Sequence, residues 1–162
     1  MGVRNYLIEG VSCSGKTTVC EELLRRGYHA VHGDRALAYQ GNPQTGERLE
    51  GSCHEHHIWN VSKVKSLIAD KSVAMSFFCG GSRNIHHFID LFDAVFVLDV
   101  DLDTLNSRLT ARLSDEFGAK PDERALILRL HATKEDTPAG VMIDANAPVG
   151  HVVDQILSNC SC

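Results

Sequence analysis

The chain has 162 residues, 43% of them hydrophobic and 23% charged, with a formal charge of −5. This length suits one compact domain and is short for two, and no stretch reaches the roughly 20 apolar residues of a membrane-spanning helix. The acidic balance argues against a general nucleic-acid binder, whose surface is ordinarily basic.

The opening MGVRNYLIEG has no basic end followed by an apolar run and a cleavage site. Tyr6 also stands where a myristoylation signal carries Ser or Thr, so a cytoplasmic protein is expected. YLIEG (6–10) reads as a short buried strand. After it, Val19, Cys20, Leu23 and Leu24 share a helical face, Arg25 and Arg26 suit the last turn, and Gly27 suits the stop. Between strand and helix, Gly10, four residues, Gly15, Lys16 and Thr17 satisfy G-x-x-x-x-G-K-[ST] in the context that motif requires. The glycines let backbone N–H groups turn toward phosphate oxygens, and the positive end of the helix adds to their field. Lys16 would neutralise the β/γ-phosphates, and the Thr17 hydroxyl would ligate Mg²⁺. The nucleotide-binding candidates are Gly10, Ser12, Cys13, Ser14, Gly15, Lys16, Thr17 and Thr18. Cys13 lies beside Lys16 and a helix N-terminus, which favour a thiolate, but the favoured reading is a loop position tolerant of small side chains.

YHAVH (28–32) is the second strand, and HGDRALAY follows it. Asp34 there is placed to orient or deprotonate an acceptor hydroxyl, or to help hold Mg²⁺, and Arg35 to meet an anionic acceptor; the plainer role for Asp34 is a helix cap. The turn-rich 40–52 reads as a surface loop and 55–69 as a helix. Cys53, His54, His56 and His57 crowd together without a second ligand group at a metal-site spacing. A substrate contact through His56 or His57, or a plain surface patch, is favoured over a metal there. VAMSFF (73–78) is the third strand. It is followed by CGGSRN, where Gly80 and Gly81 let a substrate approach the backbone and Arg83 offers a planar fork to carboxylate or phosphate.

A helix over 84–92 contains His86 and His87, and AVFVLD (94–99) is the fourth strand, ending in Asp99. A helix over 102–113 carries Arg108 and Arg112 four apart, and a helix over 122–134 carries Arg124 and Arg129. The turn-rich 114–122 lies between these helices. Two arginine pairs about a flexible segment suit a lid that brings positive charge onto a transferring phosphoryl group and excludes water. VMIDA (141–145) is the fifth strand, and a helix over 149–157 closes the chain.

Five strands separated by helices predict an α/β fold with a parallel sheet covered on both faces and its site at the carboxyl edge. The phosphate motif serves GTP switches, ATP-driven motors and small-molecule kinases. The chain has no N-K-x-D guanine reader and is short for a motor's coupling elements, which favours a kinase. Cys13, Cys20, Cys53, Cys79, Cys160 and Cys162 are irregularly spaced and are expected as reduced thiols.

On GVSCSGKT, HGDRALA, CGGSR, RLTAR and DERALILRL, the chain resembles the adenylate kinase-like branch of P-loop kinases, with shikimate and gluconate kinases as architectural relatives. The resemblance implies a three-layer P-loop fold with sheet order 2-3-1-4-5, ATP and Mg²⁺ as cofactors, and a small-molecule acceptor between the second and third strands. It also implies an acceptor-binding region over about 34–70, a short lid over about 108–129, and adenine contacts from DANAP (144–148). Catalytic roles fall on Lys16, Asp34, Arg108 and Arg112, with Arg108 also on the nucleotide. Acceptor contacts fall on Asp34, Arg35, His57, Gly80, Gly81, Arg83 and Arg124. The chain departs from nucleotide kinases at Cys79, where they usually carry an acidic residue, which turns the metal-supporting role toward Asp34. A nucleoside or nucleotide acceptor is favoured over a shikimate- or gluconate-like one. The rival reading is a nucleotide-binding ATPase module that phosphorylates nothing else.

Overall fold

A computed structural model describes residues 2–160; Cys162, expected as a reduced thiol, lies outside them. The first strand, β1 (Gly2–Glu9), begins four residues earlier than its apolar run indicated. The reason is partnership: its start pairs with the next central strand from Gly2↔Val73 to Ile8↔Cys79, so Arg4 and Asn5 extend in spite of their polarity. α1 (Lys16–Arg25) follows, then β2 (His29–His32) and the single turn α2 (Gly33–Ala36). A hairpin of β3 (Ala38–Gln40) and β4 (His57–Trp59) leads to α3 (Val61–Ala69) and β5 (Val73–Cys79). The chain continues through β6 (Ala94–Asp99), α4 (Leu102–Thr110), α5 (Pro121–Thr133), β7 (Val141–Asp144) and α6 (Val149–Ser158).

The five-stranded parallel sheet runs β2-β5-β1-β6-β7. Counting only these strands, the order is the expected 2-3-1-4-5. Alternation along the strands divides two cores. Tyr6, Ile8, Phe77 and Cys79 face one with Leu23, Leu105, Ile127 and Ile156, while Leu7, Val31 and Phe78 face the other with Trp59, Val64, Phe88 and Phe92. Both sheet faces are therefore buried, which is why the strands read as nearly continuous apolar runs. Each such side chain contributes roughly 1.5–3 kcal/mol on burial. Among the described residues, no helix is long and apolar enough to cross a membrane, and Cys13, Cys20, Cys53 and Cys79 are free thiols.

Two expected helices are corrected. Residues 55–69 are not one helix: a 3-10 turn (His54–His56) and β4 precede α3, which starts at Val61 with Asn60 as its cap, its side chain accepting from the Lys63 N–H at 3.0 Å. Ile58 and Trp59 are consecutive and both buried, in a strand paired Ala38↔Trp59 and Tyr39↔Ile58. The loop 40–52 is also tied in, by a bridge between Gly41 and Arg48. Residues 84–92 form two 3-10 turns, Ile85–His87 and Ile89–Leu91, interrupted at Phe88 with φ −145°. Asn84 is committed elsewhere: its Nδ2 donates to Trp59 O at 3.0 Å and its Oδ1 accepts from Trp59 N at 3.1 Å.

Trp59 lies flat on Phe88, ring centres 5.7 Å apart and planes 3° from parallel, and its other side covers Gly33. A Cβ at Gly33 would overlap Trp59 Cζ2. Gly33→Ala is expected to cost about 1–3 kcal/mol through overpacking, read as a lower urea midpoint at unchanged slope; an unchanged midpoint would contradict the packing.

Candidate functional site

The β1–α1 loop turns sharply through Gly10 (φ +154°), Cys13 (φ +70°) and Gly15 (φ +106°). Gly15 is the cap residue of α1 and supplies no side-chain hydrogen bond, so the first N–H groups of the helix remain free for an anion. Ser14 Oγ is buried within the loop without a partner. Lys16 Nζ curls back to donate to the carbonyls of Gly10 and Val11. The free N–H groups of α1 and Ser14 Oγ are unspent donors that fit a phosphate chain.

Arg108 and Arg112 reach this loop from α4 and its end. Arg108 donates to Cys13 O at 3.0 Å and to Ala145 O at 2.9 Å, tying the loop to the turn after β7; Arg112 Nε donates to Cys13 Sγ at 2.8 Å. Together they border a cavity of about 680 Å³ lined by residues 12–19 and by Ala145, Ala147 and Pro148. Thr17 and Thr18 open on it, and the DANAP segment forms part of its wall. Asp99, at the end of β6, pairs with Lys134 at 3.2 Å and lines neither cavity.

A second cavity, of about 350 Å³, lies on the other side of Lys16. Ser12, Lys16 and Asp34 line both cavities. Asp34 is held by three donors on a single oxygen: His57 Nε2 at 3.0 Å, Trp59 Nε1 at 3.3 Å and the Gly81 N–H at 3.3 Å, all to Oδ1. No described residue bonds to Oδ2, and the side chain keeps 44% of its surface. Burial works against its charge, but the hydrogen bond from His57, the charges of Lys16 and His57 and the bond from Trp59 outweigh it. They hold the carboxyl below its ordinary value. The Gly-Gly turn lets the backbone come this close: a Cβ on Gly80 would stand 2.7 Å from Asp34 Oδ1, and one on Gly81 2.6 Å from Glu9 Oε1.

Of the other acceptor-side candidates, His57, Gly81 and Arg83 line the second cavity, whereas Arg35 and Arg124 line neither. Arg124 is spent between helices, donating to Asn106 Oδ1 at 3.3 Å and Thr110 Oγ1 at 3.4 Å. Arg129 pairs with Glu135 at 3.3 Å, and Arg112 also approaches Glu116 at 3.8 Å. The histidine-rich patch separates: His57 serves Asp34, His54 bonds Asp136 at 2.8 Å, and Cys53 donates to Glu55 at 2.6 Å. Among the described residues, no group of three or more His, Cys, Asp or Glu side chains is placed to hold a metal.

The strand pattern gave no separate role to Glu9. Its side chain is 3% exposed in the second cavity; Oε1 accepts from the Gly10 N–H at 2.8 Å and Oε2 has no partner. Burial pushes its pKa up from 4.5 to about 7, against the lowering pull of Lys16, the Gly10 N–H and Arg83. A carboxylate at a strand end directly before Gly10 was the available signal. Asp136 was also missed; it forms an ion pair with Arg83 at 2.6 Å and a hydrogen bond with His54 at 2.8 Å, and His54 stacks on Phe117 from the 114–122 segment with ring centres 6.3 Å apart. Residues remote in sequence assemble this wall, and no local pattern announces it.

The AAA domain family model matches residues 7–129. Among curated proteins, none matches the chain. Of solved structures, the chain is similar to a sugar kinase from Janibacter sp., with 19% identity, TM-score 0.59 and coverage of 96% of this chain and 92% of that one. It is similar to shikimate kinase from Acinetobacter baumannii in complex with shikimate, with 17% identity, TM-score 0.59 and coverage of 96% and 94%. It is also similar to deoxyadenosine kinase from M. mycoides with bound dATP, with 16% identity, TM-score 0.50 and coverage of 96% and 97%. The chain belongs to the AAA domain family and has the fold of the P-loop small-molecule kinases.

Proposed function

We propose that the chain is an ATP-dependent kinase that transfers the γ-phosphoryl group to a small molecule, with a nucleoside or nucleotide as the favoured acceptor. The observation that carries this reading is the meeting of two cavities at Lys16 and Asp34, one bordered by the phosphate loop and the other by a carboxylate. A module that used nucleotide only to change shape would have no need of the second chamber. The similar solved structures include kinases of sugars, shikimate and deoxyadenosine, which supports the class without naming the acceptor.

Bound ATP would supply the phosphoryl group, and Thr17, with Asp34 as a further ligand candidate, would hold a Mg²⁺ ion whose charge would offset that of the phosphates. The α1 N–H groups and Lys16 hold the phosphates, and Arg108 and Arg112 border them. Asp34 orients the acceptor hydroxyl and takes its proton on Oδ2 while its other oxygen stays clamped. Residues 34–70 supply the acceptor chamber and 108–129 a lid. Positioning and charge neutralisation are the main demands of phosphoryl transfer, so this set is chemically sufficient.

The test is transfer of label from γ-labelled ATP with Mg²⁺ to separate pools of nucleosides, nucleoside monophosphates, sugars and hydroxylated acids. Lys16→Ala is expected to lower transfer by at least about 10²-fold with an unchanged circular dichroism spectrum. Transfer retained by that variant would remove the loop from the mechanism, and label released only as free phosphate, whatever the pool, would favour an ATPase module.

A further inference from the structure

Two side chains that line the second cavity, Glu9 and Arg83, each carry a buried polar atom with no partner, and the two are of opposite character. Glu9 Oε2 in its ionised form is an acceptor awaiting a proton donor, and Arg83 Nε is a donor awaiting an acceptor. Such atoms cost free energy until something bonds them. A hydroxyl can do either, because it both donates and accepts; a carboxylate or phosphate dianion has no proton to give to Glu9.

The charge balance points the same way. Carboxylates of Glu9, Asp34, Glu123 and Asp136 outnumber the cations Lys16 and Arg83 along the lining. Lys16 belongs to the phosphate loop, and the Arg83 guanidinium is already neutralised by Asp136 at 2.6 Å. An anionic acceptor would meet cations whose charge is already engaged and would face several carboxylates, an arrangement that costs affinity.

Resting on the kinase reading above, we propose that the acceptor is an uncharged polyhydroxylated molecule, a sugar or nucleoside bearing neither carboxylate nor phosphate. One of its hydroxyls meets Asp34, and others meet Glu9 Oε2 and Arg83 Nε. Glu9 is then a specificity-determining residue. This narrows the acceptor and sets aside both the nucleotide and the shikimate- or gluconate-like alternatives. The cavity volume of about 350 Å³ suits a molecule of that size.

The experiment uses the intrinsic fluorescence of Trp59, the single tryptophan of the chain, whose Nε1 bonds Asp34; this readout needs no turnover. The probes are matched pairs: adenosine and thymidine with their 5′-monophosphates, and D-glucose with D-gluconate, each titrated at pH 8 into wild type and Glu9→Gln. In at least one pair the uncharged member is expected to bind at least about tenfold more tightly than the charged one. In Glu9→Gln, whose amide nitrogen replaces the free acceptor with a donor, that affinity is expected to fall by about tenfold. Urea unfolding of the same variant shows whether the loss comes without loss of stability, which a merely structural role of Glu9 would not produce. Tighter binding of the charged members, no binding by any uncharged member, or unchanged affinity in Glu9→Gln each overturns the proposal. The kinase reading fails separately, by the absence of Lys16-dependent transfer from labelled ATP to any pool.

Discussion

Asp34→Asn is expected to lower kcat by about 10²–10⁴-fold, the range of a lost acid–base group, with little change in the urea midpoint. The variant is nearly isosteric, and its amide oxygen has three reasons to stay where Oδ1 now lies: His57, Trp59 and the Gly81 N–H all donate to that position. The amide nitrogen therefore takes the place of Oδ2. It presents N–H groups to the acceptor hydroxyl where a proton acceptor is needed, so chemistry fails while binding geometry survives. KM for the acceptor is accordingly expected to change far less than kcat. A variant with kcat within threefold of wild type would show that Asp34 takes no part in the transfer step.

Glu9→Gln is expected to be more stable than wild type above neutral pH by up to about 3 kcal/mol, and no more stable below about pH 4.5. The magnitude follows from the shift from 4.5 to about 7 at about 1.36 kcal/mol per unit. The carboxyl is raised in the folded protein, because burial disfavours its charged form. Its contribution is therefore intact below the unfolded value and is lost as pH rises through about 7. Gln does not titrate, and all other groups are shared, so the difference between the two proteins isolates Glu9. Urea denaturation of both at pH 5 and pH 8 measures it; parallel pH dependence in the two would show that Glu9 is not a strained buried acid. A carboxylate retained at such a cost to folding is consistent with use of the side chain in the acceptor cavity.

The phosphate loop was fully legible because its chemistry is local. Gly10, Gly15, Lys16 and Thr17 act through backbone turns and a helix end that a dozen consecutive residues determine. The five strands were legible too, since burial on both faces leaves apolar runs. Asp34 and Arg83 were singled out by their place after a strand, at the carboxyl edge of the parallel sheet, and both line the second cavity. The hairpin at 57–59 was read as helix because polar His56 and His57 beside buried Ile58 and Trp59 fit either period over so short a span. Its strand character comes from Ala38 to Gln40, nearly twenty residues away, and from the indole packed against Gly33 and Phe88.

By itself the sequence determined the βα alternation and the geometry of the loop between β1 and α1. Tertiary structure alone decided which of the remaining charged groups line the second cavity. It brought Glu9, Arg83 and Asp136 to one wall and left Arg35 and Arg124 outside it. The physical reason is that a charge's role depends on what neutralises it. Arg83 reads as an anion anchor until Asp136, 53 residues on, is seen to occupy it.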